Sequence, residues 1–432
     1  RRYNNQTEMH MNKYFPRIAD SMLAEKLAAK GAVLIKGAKW CGKTTSALQL
    51  AKSVLFMQDP ASKQQNLQLA EISPQLLLRG DTPRLIDEWQ LAPTLWDAVR
   101  FEVDRRGEFN QFILTGSSLP SKKDLNSHSG TGRIAHLTMR PMSSFESMDS
   151  TGEVSLEDLF DGLSEVSAKS NHNIEYVAFL VCRGGWPLAI GKDDRIALAQ
   201  AYDYVDSVIA SDISLVDGVS RDPHRVARLL RSYSRNIASD AKIENLREDI
   251  VANDVDSLTA PTIQSYINAL KSIFVIEDLP AWNPNLRSRT TVRTSDTRHF
   301  VDPSIAVASL GLGPNDLIYD LNTMGLFFES LCVRDLRVYA DALDGNVFKF
   351  KQRDGLECDA VIHLRNGSYG LIEVKLGGSE IDRAAENLTK LKNRIDTTRM
   401  KEPSFMMVIT ATGFAYTRPD GVHVVPIGCL KP

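Results

Sequence analysis

Residues 32–50 read AVLIKGAKWCGKTTSALQL, and their reading decides the fold. The apolar run AVLIK at 32–36 is too short for a core helix and suits a strand buried on both faces. Directly behind it, GAKWCGKT at 37–44 fits the spacing G-x-x-x-x-G-K-[ST], between a strand and a helix as that motif requires. Gly37 and Gly42 let the backbone wrap so that its amides point inward at a helix N-terminus, a cradle for phosphates. Lys43 is then placed for the β- and γ-phosphates of ATP, and the Thr44 hydroxyl for Mg²⁺. Trp40, Cys41 and Thr45 complete the candidate nucleotide-contacting set.

Outward from this loop, short apolar runs alternate with helical stretches, the pattern of a parallel sheet flanked by helices. Strands are predicted at 32–36, 54–58, 84–88, 111–115 and 133–139, and helices at 43–52, 61–78 and 94–106. RLIDEWQ at 84–90 ends a strand in two carboxylates: Asp87 for holding Mg²⁺ and Glu88 for polarising an attacking water. In ILTGSS (113–118), Thr115, Ser117 and Ser118 are candidates to sense the γ-phosphate, with Ser117 preferred. Arg133 and Arg140 flank the fifth strand and are read either as arginine fingers on a neighbouring subunit's nucleotide or as plain ion pairs.

The 432 residues are 43% hydrophobic and 24% charged, which indicates a globular chain of several domains. Lys and Arg total 51 against 54 Asp and Glu, a net charge of −3 that excludes coating nucleic acid by bulk charge. No run approaches the roughly 18 apolar residues of a membrane span, and no apolar block follows Arg1 and Arg2 as a secretory signal requires. The lack of a starting Met predicts residues before Arg1. Five scattered cysteines without a CxxC pair predict reduced thiols in a cytoplasm and no zinc site.

YFPRI at 14–18, GAKWCGKTT, LIDEWQ, FILTGS, the run from Gly132-Arg133 through MRPMS to Phe145-Glu146, and CRGGWP at 182–187 together resemble a group of bacterial and archaeal predicted ATPases. In that group an AAA-type domain precedes a C-terminal domain of unknown function. The resemblance implies ATP binding and hydrolysis by Lys43, Thr44, Asp87 and Glu88.

The stretch 151–170 carries five acids against one lysine, a net of −4, and reads as an exposed acidic insertion. In HRVARLLRSYSRNI (224–237), Val226, Leu229, Leu230, Tyr233 and Ile237 share one helical face, while Arg225, Arg228, Arg231 and Arg235 line the next. A second helical segment follows, then LTAPTIQSYINALKSIF (258–274), with Thr259 as N-cap and Pro261 in the first turn. LRSRTTVRTSDTR at 286–298 holds four arginines against one aspartate, a net of +3. Helices followed by a basic hairpin resemble a winged helix-turn-helix, with Arg287, Arg289, Arg293 and Arg298 of the wing, and Arg225 and Arg228, as candidate DNA contacts. The competing reading uses the winged helix for protein contacts, or pairs the wing arginines with acidic residues of the ATPase domain.

From about 315, the pattern is a long helix (320–338), strands at 347–352, 356–364 and 369–375, a helix at 380–395, a strand at 404–410 and a closing hairpin at Asp420-Gly421. Asp359 falls on one strand and Glu373 and Lys375 on the next, the latter two facing one way. With Glu329 on the long helix, these are candidates to hold Mg²⁺ for phosphodiester cleavage. The element order resembles PD-(D/E)xK nucleases, although the proline is missing and Glu357 is a competing carboxylate.

The expected fold class is therefore α/β: an arm (1–19), an AAA-type P-loop NTPase domain (20–193) carrying the acidic insertion 150–172, a winged-helix-like domain (194–314) and a nuclease-like domain (315–432). The expected function is ATP hydrolysis acting on DNA, branched DNA included, with Mg²⁺ and in a homo-oligomer. The alternatives are an ATP-regulated metal-dependent nuclease and a nucleotide switch acting on protein partners.

Overall fold

A computed structural model describes residues 14–117, 132–215, 219–251, 258–286, 292 and 294–432. The first layer is built from α1 (Ile18–Ala29), β1 (Ala32–Lys36), α2 (Lys43–Leu50), β2 (Ser53–Phe56), α3 (Lys63–Ile72), β3 (Arg84–Asp87), α4 (Thr94–Arg106), β4 (Phe112–Gly116) and β5 (Ile134–Thr138). All five strands are parallel in the order β2-β3-β4-β1-β5. β4 thus lies between the strand that ends in the phosphate loop and the strand that ends in Asp87. Ala32 and Leu34 pack on one face of the sheet and Val33 and Ile35 on the other, which is why this strand is apolar throughout. The helix expected over 61–78 stops at Ile72, because Pro74 cannot continue it and opens a separate short turn, Pro74–Leu76.

The acidic stretch departs from expectation. It forms β6 (Val154–Ser155), α5 (Leu156–Phe160) and β7 (Ser167–Lys169). Its apolar members Val154, Leu156 and Leu159 are buried, while Leu163 and the five acids face water. β7 pairs with a strand of the C-terminal sheet and β6 pairs with the last strand of the chain, so the segment is an outlying part of the C-terminal domain and not an insertion in the ATPase core.

A helical region follows: α6 (Ile174–Arg183), α7 (Asp194–Ser207), α8 (Ile213–Leu215), α9 (Pro223–Arg235), α10 (Ile243–Val251) and α11 (Ala260–Ser272). The α9 stripe, Val226, Leu229, Leu230 and Tyr233, is buried as its spacing requires, each side chain contributing about 1.5–3 kcal/mol. Asp222 caps α9 and Thr259 caps α11 through their side chains. Antiparallel bridges Ile276↔Phe300 and Leu279↔Thr297 then form the base of a hairpin. Further out the hairpin does not project freely: Ala281, Leu286 and Val292 bridge to Lys349, Ile395 and Gln352 of the C-terminal domain, because Leu286 and Val292 pack on its apolar core.

The chain closes with α12 (Pro303–Leu310), α13 (Pro314–Tyr319), α14 (Leu321–Ala342), β8 (Gly345–Lys351), β9 (Glu357–Leu364), β10 (Tyr369–Lys375), α15 (Ile381–Arg394), β11 (Phe405–Thr410), β12 (Phe414–Thr417), β13 (His423–Pro426) and β14 (Leu430–Lys431). Seven strands make one sheet in the order β7-β12-β13-β11-β10-β9-β8. β8, β9 and β10 run antiparallel, β11 runs parallel to β10, and α14 and α15 cover opposite faces. All five cysteines are buried and free. Among the described residues, no helix is long and apolar enough to cross a membrane.

Candidate functional site

The loop between β1 and α2 has the geometry its glycines foretell. A Cβ on Gly37 would stand 2.0 Å from the Met139 carbonyl, and Gly42, at φ 99°, occupies a left-handed conformation at the N-terminus of α2. Lys43 is buried and its ammonium folds onto the loop's own carbonyls, Gly37 at 3.0 Å and Ala38 at 2.8 Å. Thr44 Oγ1 donates to Asp87 Oδ1 at 2.6 Å, and Thr115 Oγ1 donates to the same oxygen at 2.7 Å. A hydroxyl and a buried carboxylate converging at the mouth of a phosphate loop fit Mg²⁺. Thr44 and Asp87 are the residues that would hold it, and the ion would supply charge neutralisation at the phosphates.

Glu88 lies one residue beyond the strand in a left-handed conformation (φ 55°, ψ 46°), an unfavourable backbone state for a residue other than glycine. Burial pushes its carboxyl above the usual range and Lys43 partly opposes this, which suits a general base. It accepts hydrogen bonds from Gln90 and, at 3.4 Å, from Ser117 Oγ. The structure thus divides the polar residues at the end of β4: Thr115 supports Asp87 and Ser117 supports Glu88, while Ser118 lies outside the described residues.

Other members of the expected set behave differently. Trp40 (φ 63°) sets its ring edge against Tyr204 of α7, 5.7 Å away, and Tyr204 stacks on Trp186. Cys41 is buried against the Met139 carbonyl, and Thr45 is exposed on α2. Arg133 sits before β5, at the opposite end of the sheet from the phosphate loop, and pairs with Asp104 at 2.9 Å, so it does not serve its own chain's nucleotide site. Arg140 is nearly buried and bonds to Glu277 at 2.6 Å and to Asp341, so it is a clamp between domains and not a finger.

Three residues at this site escaped sequence reading. Arg17 donates to the Cys41 carbonyl at 2.7 Å and the Arg140 carbonyl at 2.8 Å, and pairs with Glu146 at 3.0 Å, fastening the loop from outside. Its only signal was membership of the YFPRI motif. Lys39 in the loop pairs with Asp212 at 2.6 Å, on a π-helical turn after α7. That contact spans 173 residues and left no local trace in the sequence.

Of the candidate DNA contacts, Arg287, Arg289 and Arg293 lie outside the described residues. Arg298 is no free contact: it pairs with buried Asp278 at 2.9 Å and caps the Ala241 carbonyl. Arg225 lies 3.9 Å from Asp222, and Arg228 is on the same helix.

In the C-terminal domain the structure brings Glu329, Asp359, Glu373 and Lys375 together. Lys375 Nζ lies 2.7 Å from Glu373 and 3.4 Å from Asp359. Lys349, which sequence reading missed, lies 2.8 Å from Glu329 and 3.5 Å from Asp359. Its signal was a lysine in phase with Val347 on the core-facing side of a strand. Glu357 turns to Lys351 instead. Burial and Asp359 push Glu373 up to about 8, against the pull of Lys375, and burial pushes Glu329 up to about 7. This donor set does not fit a divalent cation as it stands, because an ammonium already lies between Glu329 and Asp359. Among the described residues, no group of three His, Cys, Asp or Glu side chains is arranged to hold a metal.

Comparison with known proteins agrees on the first domain. Residues 29–148 match the AAA domain family, residues 174–316 match a domain of unknown function (DUF8612), and residues 324–430 match another (DUF4143). Comparison with curated proteins returns no match. Similar solved structures include a Walker-type ATPase of Pyrococcus abyssi (14% identity, 68% of this chain and 96% of that one, TM-score 0.44). They also include the ORC2 protein of Aeropyrum pernix in ADPNP and ADP complexes (14%, 62% and 90%, 0.29). A RuvB variant of Thermotoga maritima is a third (15%, 61% and 88%, 0.24). Phosphate loop, paired carboxylates, strand order and family match converge: the chain carries a P-loop ATPase domain of the AAA type.

Proposed function

We propose that this protein hydrolyses ATP at Lys43, Thr44, Asp87 and Glu88 and uses the cycle to act on DNA, branched DNA included, through its middle and C-terminal domains. Each residue has one task. The loop amides and Lys43 hold the phosphates, Thr44 and Asp87 hold Mg²⁺, Glu88 takes a proton from the attacking water, and Ser117 orients Glu88.

The observation that carries the DNA reading is the order α14-β8-β9-β10-α15-β11, which sets Asp359 beside Glu373 and Lys375. It resembles the layout of PD-(D/E)xK nucleases. The three helices α9 to α11 followed by a hairpin support a winged-helix reading of the middle domain. The reading includes a cytoplasmic homo-oligomer, with Arg133 as the arginine presented to a neighbour's nucleotide.

A gel-shift panel of linear, forked and four-way DNA, with and without ATP, tests it. Salt-sensitive binding that changes with ATP is expected, and no binding at low salt for any of these DNAs overturns it. The second reading, a nucleotide switch acting on protein partners, is favoured by the Arg298–Asp278 pair, which spends basic charge inside the protein.

A further inference from the structure

Two successive residues of the phosphate loop reach out of the ATPase domain and grip one element of the middle region. Trp40 sets its ring edge against Tyr204 of α7, and Lys39 Nζ donates to Asp212 Oδ1 at 2.6 Å. α7 runs on into a π-helical turn, Val208–Asp212, a rare conformation that recurs at functional sites. Asp212, at the end of that turn, is 8% exposed and is followed by buried Ile213. A carboxylate so buried needs a cation, and the phosphate loop supplies it. Trp40, at φ 63°, holds a left-handed state that is costly for so bulky a residue, and its contact with Tyr204 keeps this part of the loop turned toward α7.

Lys39 is not used up by this contact. Its side chain is 43% exposed, and Asp212 takes one of the three donors of the ammonium. Its charge also acts on the Glu88 carboxylate, as that of Lys43 does more strongly. The water that Glu88 activates attacks the γ-phosphate, so a cation of the loop that reaches Glu88 is within reach of that phosphate. Phosphoryl transfer builds negative charge on the γ-phosphate oxygens, and a second fixed cation there lowers the barrier.

We propose that Lys39 is a second ligand of the γ-phosphate, and that Asp212, from the middle domain, is the positioning residue that aims its ammonium. The role rests on the ATP hydrolysis proposed above for Lys43, Thr44, Asp87 and Glu88. It makes the middle domain a part of the ATP site.

The test titrates ATP and ADP, each with Mg²⁺, into the full chain carrying Glu88→Gln, which keeps ATP intact. Turnover and melting temperature are measured with Glu88 in place. Lys39→Met should weaken ATP binding about tenfold or more and ADP binding less than about twofold, because only ATP has the γ-phosphate. Lys39→Arg should keep the preference for ATP. Lys39→Met also strands the Asp212 carboxylate and lowers the melting temperature. The double variant Lys39→Met with Asp212→Asn should regain stability while ATP binding stays weak. Asp212→Asn alone should lower kcat about tenfold with ADP affinity unchanged, and Asp212→Glu should restore part of it.

Equal losses of ATP and ADP affinity in the double variant overturn the proposal, since they make Lys39 a packing residue of the loop. Wild-type ATP affinity and turnover in Lys39→Met overturn it too, and wild-type kcat in Asp212→Asn overturns the positioning role. In each of these cases turnover by the unaltered chain leaves the ATPase reading standing. An unaltered chain that neither binds nor hydrolyses ATP overturns both.

Discussion

Thr44 and Asp87 are 43 residues apart in the chain and joined by a 2.6 Å hydrogen bond, with Thr115 donating to the same carboxylate oxygen from the strand between them. The strand order makes this meeting unavoidable, because β4 sits between β1 and β3 and all three end at one edge. Replacing Thr44 by Val or Asp87 by Asn should lower ATP turnover about 10–100-fold with Mg²⁺ present. Glu88→Gln should leave ATP binding intact while turnover falls by about 10²-fold or more, and Lys43→Ala should weaken binding as well. Steady-state hydrolysis and nucleotide-binding titrations separate these outcomes. Normal turnover in all four variants removes the site.

Arg17 spans two carbonyls and a carboxylate with one planar guanidinium, a geometry a lysine cannot copy. Arg17→Ala strands Glu146, whose side chain is almost fully buried, and should cost about 3–5 kcal/mol in denaturant unfolding. Arg17→Lys should keep much of the stability yet raise the KM for ATP, because the Cys41 carbonyl of the loop loses its clamp. Equal losses of stability and KM in both variants would make the residue merely structural.

Glu277 links stability to pH. Burial alone would raise its carboxyl pKa, but Arg140 and Arg337 overcome that and hold it down to about 2. A carboxyl depressed in the folded state stabilises the protein above its unfolded value and loses that contribution as it becomes protonated. The stabilisation is therefore full above about pH 4.5 and fades between there and about pH 2. Arg140→Gln should flatten this acid limb in urea melts at successive pH values. An unchanged limb would place the titration elsewhere.

Arg298 and the other arginines of the hairpin should separate cleanly in experiment. Arg298→Ala removes a partner of buried Asp278 and should cost about 1–3 kcal/mol while leaving DNA affinity alone. Charge reversal at Arg287, Arg289 and Arg293 together should lower DNA affinity and flatten its dependence on salt. Should Arg298→Ala alone abolish DNA binding without unfolding the chain, the assignment of Arg298 to the interior fails.

Much of the fold was legible because its signals are local. The apolar runs at 32–36 and 369–375 meet every requirement of buried strands, and the Asp420-Gly421 turn joins the antiparallel pair β12 and β13 as its composition implies. The acidic stretch misled for the converse reason. Its five acids are conspicuous, whereas the burial of Val154, Leu156 and Leu159 depends on strands more than 240 residues away. Lys349 was passed over because one lysine in a strand usually faces water, and only packing against α14 reveals that this one does not.

By itself the sequence determined the phosphate loop, the strand that leads into Asp87 and Glu88, and the helices of the middle region. Spacing and side-chain chemistry suffice where the partners are a few residues apart or the motif carries its own geometry. Tertiary structure decided the rest: that Arg140 and Arg298 are spent on buried acids, that Arg17 and Asp212 grip the loop, and that a lysine lies among the C-terminal carboxylates. A charge has no fixed role until its neighbours are known, since burial makes an unpaired one so costly that the fold must supply its partner.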